Sequence, residues 1–550
     1  MPEMPEMPEV AEIVQSAHLD TFCRDHLPPP ELWPDLDFSR LPALAAYPSR
    51  LNAATELLDK AVAAGWGERT ALHFPGGRWS YARLLATANR IAHVLVEDLG
   101  VIPGNRVLLR GPNTPMLAAC WFAVLKAGGV VVCTMPLLRV RELTHIAGQA
   151  QIRLALTDAR VAADCEQAMA TTGHVIHYQS DRPGALEALM ADKPAAFPDC
   201  DTAADDTALI AFTSGTTGQG KGTMHFHRDV LAACDCFPPH VLKPAADDVF
   251  CGSPPLAFTF GLGGLLLFPL RAGASALLLE QASPPQLLQG IQDHRATICF
   301  TAPTAYRAMA GLSRNFDLSS LRKCVSAGET LPKPTFEAWQ QATGLKIIDG
   351  IGSTEMLHIF ISAAGDEIRP GSTGRVVPGY AARVVDERLR EVPPGTLGRL
   401  AVKGPTGCRY LSNLERQRAY VQNGWNLTGD SYVMDADGYF WYQARTDDMI
   451  ISAGNNISGP EVEAVLLDHP KVSECGVVGV PDEERGQIVK AFVVLRSGFA
   501  AGPELVKELQ DFVKREIAPY KYPRAIDFVD ALPRTATGKL QRFRLREQRR

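Results

Sequence analysis

From Asn105 the chain falls into a rhythm that restricts its fold more than any other feature. Residues 107–110 read as a strand, Asn113-Thr114-Pro115 as a helix start with proline at the first position, and the helix runs to about Lys126. Gly128-Gly129 ends it, residues 130–133 form the next strand, and a helical pattern over 140–147 leads to a strand at 154–157. Strands alternating with helices of this length predict parallel α/β sheets, where ligands sit at the carboxyl ends of strands. Upstream, residues 50–64 carry a helical apolar pattern and residues 70–73 a short strand.

After another apolar run, 208–212, stands Thr213-Ser214-Gly215-Thr216-Thr217-Gly218-Gln219-Gly220-Lys221-Gly222, followed by a helical pattern over 229–236. It reads as a loop leaving a strand. Its four glycines let the backbone approach a ligand closely, and successive N–H groups in such a loop form an anion cradle. With the hydroxyls and Lys221, the predicted guest is a polyphosphate. The spacing nearly completes a Walker A loop, but Gly222 stands where Ser or Thr would hold Mg²⁺, which argues against a P-loop NTPase. A flexible surface linker is the other reading, and a lysine with ordered threonines directly after a buried strand disfavours it.

A chain of 550 residues exceeds what one core supports, so two or more domains are expected. Hydrophobic content of 46% with 21% charged residues is that of an ordinary globular protein, and a net charge of -6 gives no electrostatic case for nucleic acid or an anionic membrane. The twelve cysteines are scattered without a CxxC; Cys234 and Cys236 are the closest pair, and reduced thiols are expected. Met-Pro-Glu repeated three times opens an acidic, proline-rich stretch, unlike a signal peptide, and residues 1–20 are read as a disordered tail. The apolar runs 117–125 and 260–270 are cut short by Lys126 and Arg271, so no membrane span is predicted and the cytoplasm is the expected location.

Further on, Phe258-Thr259-Phe260-Gly261 reads, taken alone, as core packing before a helix, and no G-x-G-x-x-G is completed there. Residues 323–326 form a strand ending in Ala327-Gly328-Glu329. Asp349-Gly350-Ile351-Gly352-Ser353-Thr354-Glu355 ends in a carboxylate that is either a solvated cap or a Mg²⁺ ligand. Short β runs from Gly371 onward mark a smaller β-rich subdomain. Within it Asp430, after Thr428-Gly429, reads either as a turn residue or as an acceptor for ribose hydroxyls. A boundary at Arg445-Thr446-Asp447-Asp448 precedes a second domain of mixed helices and strands, ending in Pro533-Arg534-Thr535-Ala536-Thr537-Gly538-Lys539, a polar turn presenting one lysine.

The ten-residue loop resembles the phosphate loop of the adenylate-forming superfamily of acyl-CoA synthetases, adenylation domains and luciferases, T-S-G-T-T-G-x-P-K-G, with Gly220 where proline is usual. Further signatures recur in order as Gly352-Ser353-Thr354-Glu355, Thr428-Gly429-Asp430, Arg445-Thr446-Asp447-Asp448 with Gly454, and Pro533 to Lys539, so the resemblance runs from about residue 50 to the end. It implies a large α/β N-terminal domain (21–445) of two sheet subdomains plus a small β-rich one, and a small mobile α+β C-terminal domain (446–550). It implies that Thr213, Ser214, Gly215, Thr216, Thr217, Gly218 and Lys221 hold the phosphates of ATP, and that Gly328, Asp349 and Gly350 belong to the nucleotide site. Glu355 would bind Mg²⁺ with Thr354 beside it, and Asp430 and Arg445 would hold the ribose. Asp447 would be the hinge, and Lys539 would serve the first half-reaction and leave for the second. The Gly454 segment would line the pantetheine tunnel of coenzyme A.

Two positions depart from the family: Ile351 stands where an aromatic residue is frequent, and Ile451 where a lysine is common. Residues 355–360, 258–263, 518–524 and 535–542 look most like the benzoate and 2-aminobenzoate CoA ligase branch, which places Phe258, Thr259, Phe260, His358 and Ile359 around the acyl group. The expected activity is therefore AMP-forming ligation of an aromatic carboxylate to CoA, by a monomer or homodimer. A medium-chain fatty acyl-CoA ligase and an adenylation enzyme loading a carrier protein are the alternatives.

Overall fold

The Asn113-Thr114-Pro115 helix start forms as read. Thr114 Oγ1 accepts a hydrogen bond from Leu117 N at 3.2 Å, Pro115 takes the first turn, and the helix Pro115–Lys126 is buried along its whole length. It lies against a six-stranded sheet in a computed structural model that describes residues 15–213, 220–445, 448–452, 455–482, 485–535 and 538–547. In that sheet Arg106–Arg110 is flanked by Leu154–Asp158 and Val130–Thr134, with His174–Tyr178 and Thr207–Phe212 outside them, all parallel. The predicted alternation is thus realised as a doubly wound sheet.

The phosphate-type loop departs from expectation. Gly222–Phe226 pairs antiparallel with Thr207–Phe212, from Thr207↔Phe226 to Phe212↔Gly222, so the loop is the tip of a hairpin rather than the exit from a strand into a helix. The helix His227–Phe237 begins only after the second strand. Gly222 therefore occupies a buried strand position, where a Cβ would come within 2.9 Å of Ile210 Cγ2. That packing, not metal binding, decides the residue after Lys221.

A second, nine-stranded sheet has a parallel centre of Thr70–Phe74, Ser275–Leu277, Val249–Gly252, Ile298–Thr301, Lys323–Ser326 and Ile347–Gly352. Antiparallel strands close its edges, among them Ile359–Ser362 beside Ile347–Gly352. One apolar core reaches from Leu109 and Val131 of the first sheet through the helices between them to Phe250, Phe300 and Val325 of the second. Burial on this scale fixes the separation of the two sheets, and with it the distance between their carboxyl ends.

The expected β-rich subdomain is an antiparallel sheet of Ala381–Val385, Leu397–Lys403, Trp425–Met434, Val421–Gln422 and Phe440–Arg445. Beyond it, Ile450–Ser452, Asn455–Ile457, Val472–Asp482, Gly486–Leu495 and Ala525–Phe528 make a fourth sheet with its own core, covered by the helices Gly459–Asp468 and Pro503–Glu516. At the other end the chain is tied down earlier than the tail reading supposed. Ser16 and Ala17 both donate to Asp206, and Asp20 accepts from Arg106 at 2.5 Å. All twelve cysteines are free thiols. No helix among the described residues is long and apolar enough to cross a membrane.

Behind the hairpin runs a buried ion pair, Arg409 with Asp229, both wholly inaccessible to solvent. Burial works against the Asp229 carboxylate, but Arg409 and His225 hold it below its ordinary range. Around the pair the segment carrying Arg409 is stitched to the hairpin: Met224 N donates to Arg409 O at 2.8 Å and Leu411 N to Gly222 O at 2.9 Å. Asp229→Ala strands a buried guanidinium and is expected to cost about 3–5 kcal/mol. Asp229→Leu with Arg409→Met is expected to recover most of that in urea unfolding.

Candidate functional site

Lys221, Arg445 and Lys539 meet Glu355 and Asp430 where the carboxyl ends of the two large sheets face the C-terminal sheet. Lys221 feels Arg416, Glu355 and Arg445, and Lys539 feels Glu329, Arg445, Glu355 and Asp430. These electrostatic neighbours come from seven separate segments of the chain. Burial pulls the Lys221 and Lys539 ammonium groups below their ordinary range. The Lys539 side chain is nonetheless exposed to solvent.

Each group is aimed by local structure. Glu355 lies on the turn joining Ile347–Gly352 to Ile359–Ser362, wound by hydrogen bonds from Met356 N to Ser353 Oγ (3.2 Å) and from Leu357 N to Thr354 O (3.3 Å). Leu357 has φ 70°, a left-handed value rare for a bulky residue, and its fully buried side chain holds it there. His225 donates from Nε2 to the Thr354 carbonyl at 2.8 Å. Tyr410 donates its hydroxyl to Glu355 Oε1 at 2.6 Å. Burial, then the Glu355 charge, push the Tyr410 hydroxyl far above its ordinary range, so it stays a donor.

Asp430 is not on a turn. Arg399 pairs with Ser431 and Ala401 with Leu427, so one residue of Leu397–Lys403 faces three of the neighbouring strand, and Gly429 takes φ 77° in this bulge. A Cβ on Gly429 would stand 3.0 Å from Arg445 Nη2. The glycine thus both turns the bulge and makes room for Arg445, which donates to Asp430 Oδ1 at 3.2 Å. Burial pushes the Asp430 carboxyl up, Arg445 opposes it, and the Asp430 charge in turn raises Arg445.

Thr213 and Lys221 close the mouth of the hairpin loop, Thr213 N to Lys221 O at 2.9 Å and Lys221 N to Thr213 Oγ1 at 3.3 Å. Ser214, Gly215, Thr216, Thr217 and Gly218 lie outside the described residues, as do Asp447 and Gly454. A Cβ on Gly220 would come within 2.9 Å of Thr213 O, and its carbonyl accepts from His145 Nε2 at 3.0 Å, so glycine lets this end of the loop close tightly.

Gly328 has φ 88° and sits beside the stem of Lys539, whose Cε would be 3.6 Å from a Cβ there. The Asp349 carboxyl is pushed well above its range by burial, and its Oδ1 has no hydrogen-bond partner. It borders a small cavity with Ser372 and Thr373. Gly350, by contrast, is a glycine for strand packing: a Cβ would meet Ile359 Cγ2 at 2.9 Å.

The acyl candidates divide. Phe258 precedes the helical turn Thr259–Leu262, and both it and Thr259 are half-buried. Phe260 packs with Phe300 (centroids 5.5 Å) and with His358 (5.9 Å), and Phe268 stands edge-on to His358 at 4.4 Å. His358 is 4% exposed, and neither ring nitrogen has a hydrogen-bond partner. Ile359 packs over Gly350 in the core. Asn113 bonds Pro254 O and Leu256 N, at 3.0 and 2.8 Å, and so joins the start of the Pro115–Lys126 helix to this wall.

The family model for AMP-binding enzymes matches residues 59–410, and that for the AMP-binding enzyme C-terminal domain matches residues 461–539. The chain belongs to this family. Within the adenylate-forming superfamily it falls in the benzoate and aminobenzoate branch. It is 35% identical to the benzoate–CoA ligase of Thauera aromatica over 93% of this chain and 98% of that one. The structure of the anthranilate CoA ligase AuaEII in complex with anthranoyl-AMP superposes with a TM-score of 0.87 at 34% identity, covering 92% and 98% of the two chains. A benzoate CoA ligase from Burkholderia xenovorans LB400 does so with 0.83 at 35% identity, covering 90% and 100%.

Read as such an enzyme, the chain contains functional residues that its motifs did not reveal. Tyr410 and His225 brace Glu355 and Thr354, yet Tyr410 sits in an unremarked stretch and His225 alternates with apolar residues as any strand residue does. Their signal is spatial. His358 and His227 also share a property that sequence hides: burial drives each down to about 3 from the ordinary 6.5, so both are neutral in the folded enzyme. The unfolded chain binds those protons between about pH 3 and 6.5, so stability rises with pH in that window and is lost as pH falls through it. His358→Phe is expected to flatten the acid limb of stability between about pH 6 and 4, measured by urea unfolding at each pH; an unchanged slope would mean that His358 titrates normally.

Proposed function

We propose that this protein is an AMP-forming aromatic acid–CoA ligase. It activates the acid with ATP as an acyl-adenylate, releasing pyrophosphate, and then passes the acyl group to the thiol of CoA, releasing AMP. The observation that carries the reading is the shared turn 353–358, which brings Glu355 to the cationic cluster and His358 against the rings of Phe260 and Phe268. Anthranoyl-AMP in the similar AuaEII structure, and the benzoate ligases among the relatives, support an aryl carboxylate of benzoate size. A ligase using ATP and CoA fits the cytoplasm.

Attack of a carboxylate on the α-phosphate brings negative groups together, so it requires fixed cations rather than a protein nucleophile. Lys539 is assigned to the carboxylate and α-phosphate, Lys221 with the Thr213 loop to the outer phosphates, and Asp430 with Arg445 to the ribose. Asp349, whose carboxyl burial pushes well above its ordinary range and whose Oδ1 is unpartnered, suits the edge of the adenine. Among the described residues there is no cluster of three metal ligands. A single braced carboxylate, Glu355, fits Mg²⁺, which takes one or two carboxylates beside phosphate oxygens and water. Bound there, the ion would neutralise phosphate charge.

His358 favours a ring substituent. Unpartnered nitrogens on a neutral, buried imidazole are costly unless the ligand supplies the partner, and an ortho amino group could. That places 2-aminobenzoate slightly ahead of benzoate, and a medium-chain fatty acid behind both, since aromatic walls suit a flat ring.

Pyrophosphate release with Mg-ATP, with and without CoA, over benzoate, 2-aminobenzoate, hydroxybenzoates, phenylacetate, hexanoate and acetate tests this. CoA-dependent turnover on one aromatic acid is expected. Pyrophosphate release without thioester would move the reading to a carrier-protein loading enzyme, and preference for hexanoate to a fatty acyl ligase. Lys539→Ala is expected to slow adenylation by roughly 10²-fold or more while thioester formation from a supplied acyl-adenylate persists; equal loss in both half-reactions would reject the assignment.

A further inference from the structure

The turn that presents Lys539 is tied to the opposite wall of the cleft through one guanidinium. Arg534 and Leu540 pair at its base, Thr535 N donates to Lys539 O at 2.7 Å, and Lys539 N to Thr535 Oγ1 at 3.0 Å. The Lys539 backbone is thereby fixed relative to Arg534. Arg534 donates to Gly538 O within the turn (2.7 Å) and to Glu474 on the C-terminal sheet (2.8 Å). Its third partner is Glu329 Oε1, at 3.3 Å, on the segment after Lys323–Ser326. Glu329 is the only one of the three that belongs to the large sheets.

Glu329 is placed to feel this partner. Its side chain is 16% exposed; burial pushes its carboxyl up, while Arg534, Thr304 and Lys539 pull the other way. The preceding residue is Gly328, whose lack of a side chain lets the Lys539 stem lie against the same segment. One short segment therefore supplies both a smooth wall for the lysine stem and an anchor for its turn. A largely buried carboxylate discriminates between arrangements, because separation from Arg534 removes its ion-pair partner.

We infer that Glu329 is a positioning residue for the first half-reaction: by pairing with Arg534 it seats the turn so that Lys539 reaches the acyl-phosphate centre. This rests on the functional reading above. Thioester formation, for which Lys539 leaves the cleft, makes no use of the pair, and this separates a positioning role from a structural one.

The test compares Glu329→Ala, Glu329→Gln, Arg534→Ala and the Glu329→Ala/Arg534→Ala double variant in two assays. One is single-turnover pyrophosphate release with the best acid in the absence of CoA; the other is thioester formation from chemically prepared benzoyl adenylate and CoA. Glu329→Ala is expected to lose about 10- to 100-fold in the rate of the first, in kcat rather than in KM for the acid, with the second within about threefold of wild type. Glu329→Gln, which keeps the shape and loses the charge, should fall between, and the double variant should be no slower in the first assay than Arg534→Ala alone. Unimpaired adenylation, equal loss in both assays, or additive losses in the double variant would each overturn the inference. Wild type that releases pyrophosphate but makes no thioester from benzoyl adenylate would instead count against the ligase reading, leaving the Glu329 result on adenylation to stand or fall separately.

Discussion

One hydrogen bond, from His225 Nε2 to the Thr354 carbonyl, joins the two large sheets where the candidate site residues meet. A carbonyl only accepts, so Nε2 of His225 carries a proton and donates it. The donor sits on the second strand of the phosphate hairpin, and the acceptor on the turn that carries Glu355. Lys221 and Glu355 come from different sheets, and this bond, with those of Tyr410 to Glu355 and Asn113 to the 254–256 segment, adds direction to the apolar core in setting their distance. The core fixes the sheets to within packing tolerance; the directional bond fixes the turn. The Asp229–Arg409 pair behind it, with the backbone bonds of Met224 and Leu411, keeps the His225 strand from shifting.

The site gathers like charges, and the fold has to hold them together. Burial first, and then neighbouring cations, Arg416 and Arg445 for Lys221 and Arg445 for Lys539, lower the two lysines. Glu355, Asp430 and Glu329 are the counter-charges, and each is held by a second group: Tyr410, Arg445 and Arg534 respectively. An anionic ligand relieves the repulsion and makes the cluster an attractive site. The same arrangement explains why the chain needs no protein nucleophile.

The parallel sheets, the helix start at Thr114-Pro115, the β-rich subdomain and the separate C-terminal sheet were legible, because period, caps and glycine punctuation are local properties. The hairpin was not. Residues 222–226 carry too short a run to be told from the approach to the following helix, and only the pairing Phe212↔Gly222 reveals a strand. Asp430 read as a turn residue for a similar reason: a bulge is defined by the partner strand, which the sequence around Gly429 does not contain. Among the candidate residues, those carried by ordered motifs could be proposed from sequence, whereas Tyr410, His225 and Glu329 gain meaning only through partners tens to hundreds of positions away. His358 was visible as a candidate, but its lack of any hydrogen-bond partner was not.

In the proposed reading, the shared turn ties acid selection to nucleotide geometry. Glu355 and His358 are separated only by Met356 and Leu357, both fully buried, and Leu357 is held in a left-handed conformation that its own packing must maintain. A ligand that pushes His358 outward therefore cannot be accommodated by relaxing the turn, since releasing Leu357 would move Glu355 relative to Tyr410 and the Thr354 carbonyl relative to His225. A poorly fitting acid is then penalised twice, in its own contacts and in the placement of the group proposed to hold the metal, and the second penalty falls on the chemical step. Discrimination built in the way proposed is expressed in the rate of adenylate formation more than in binding.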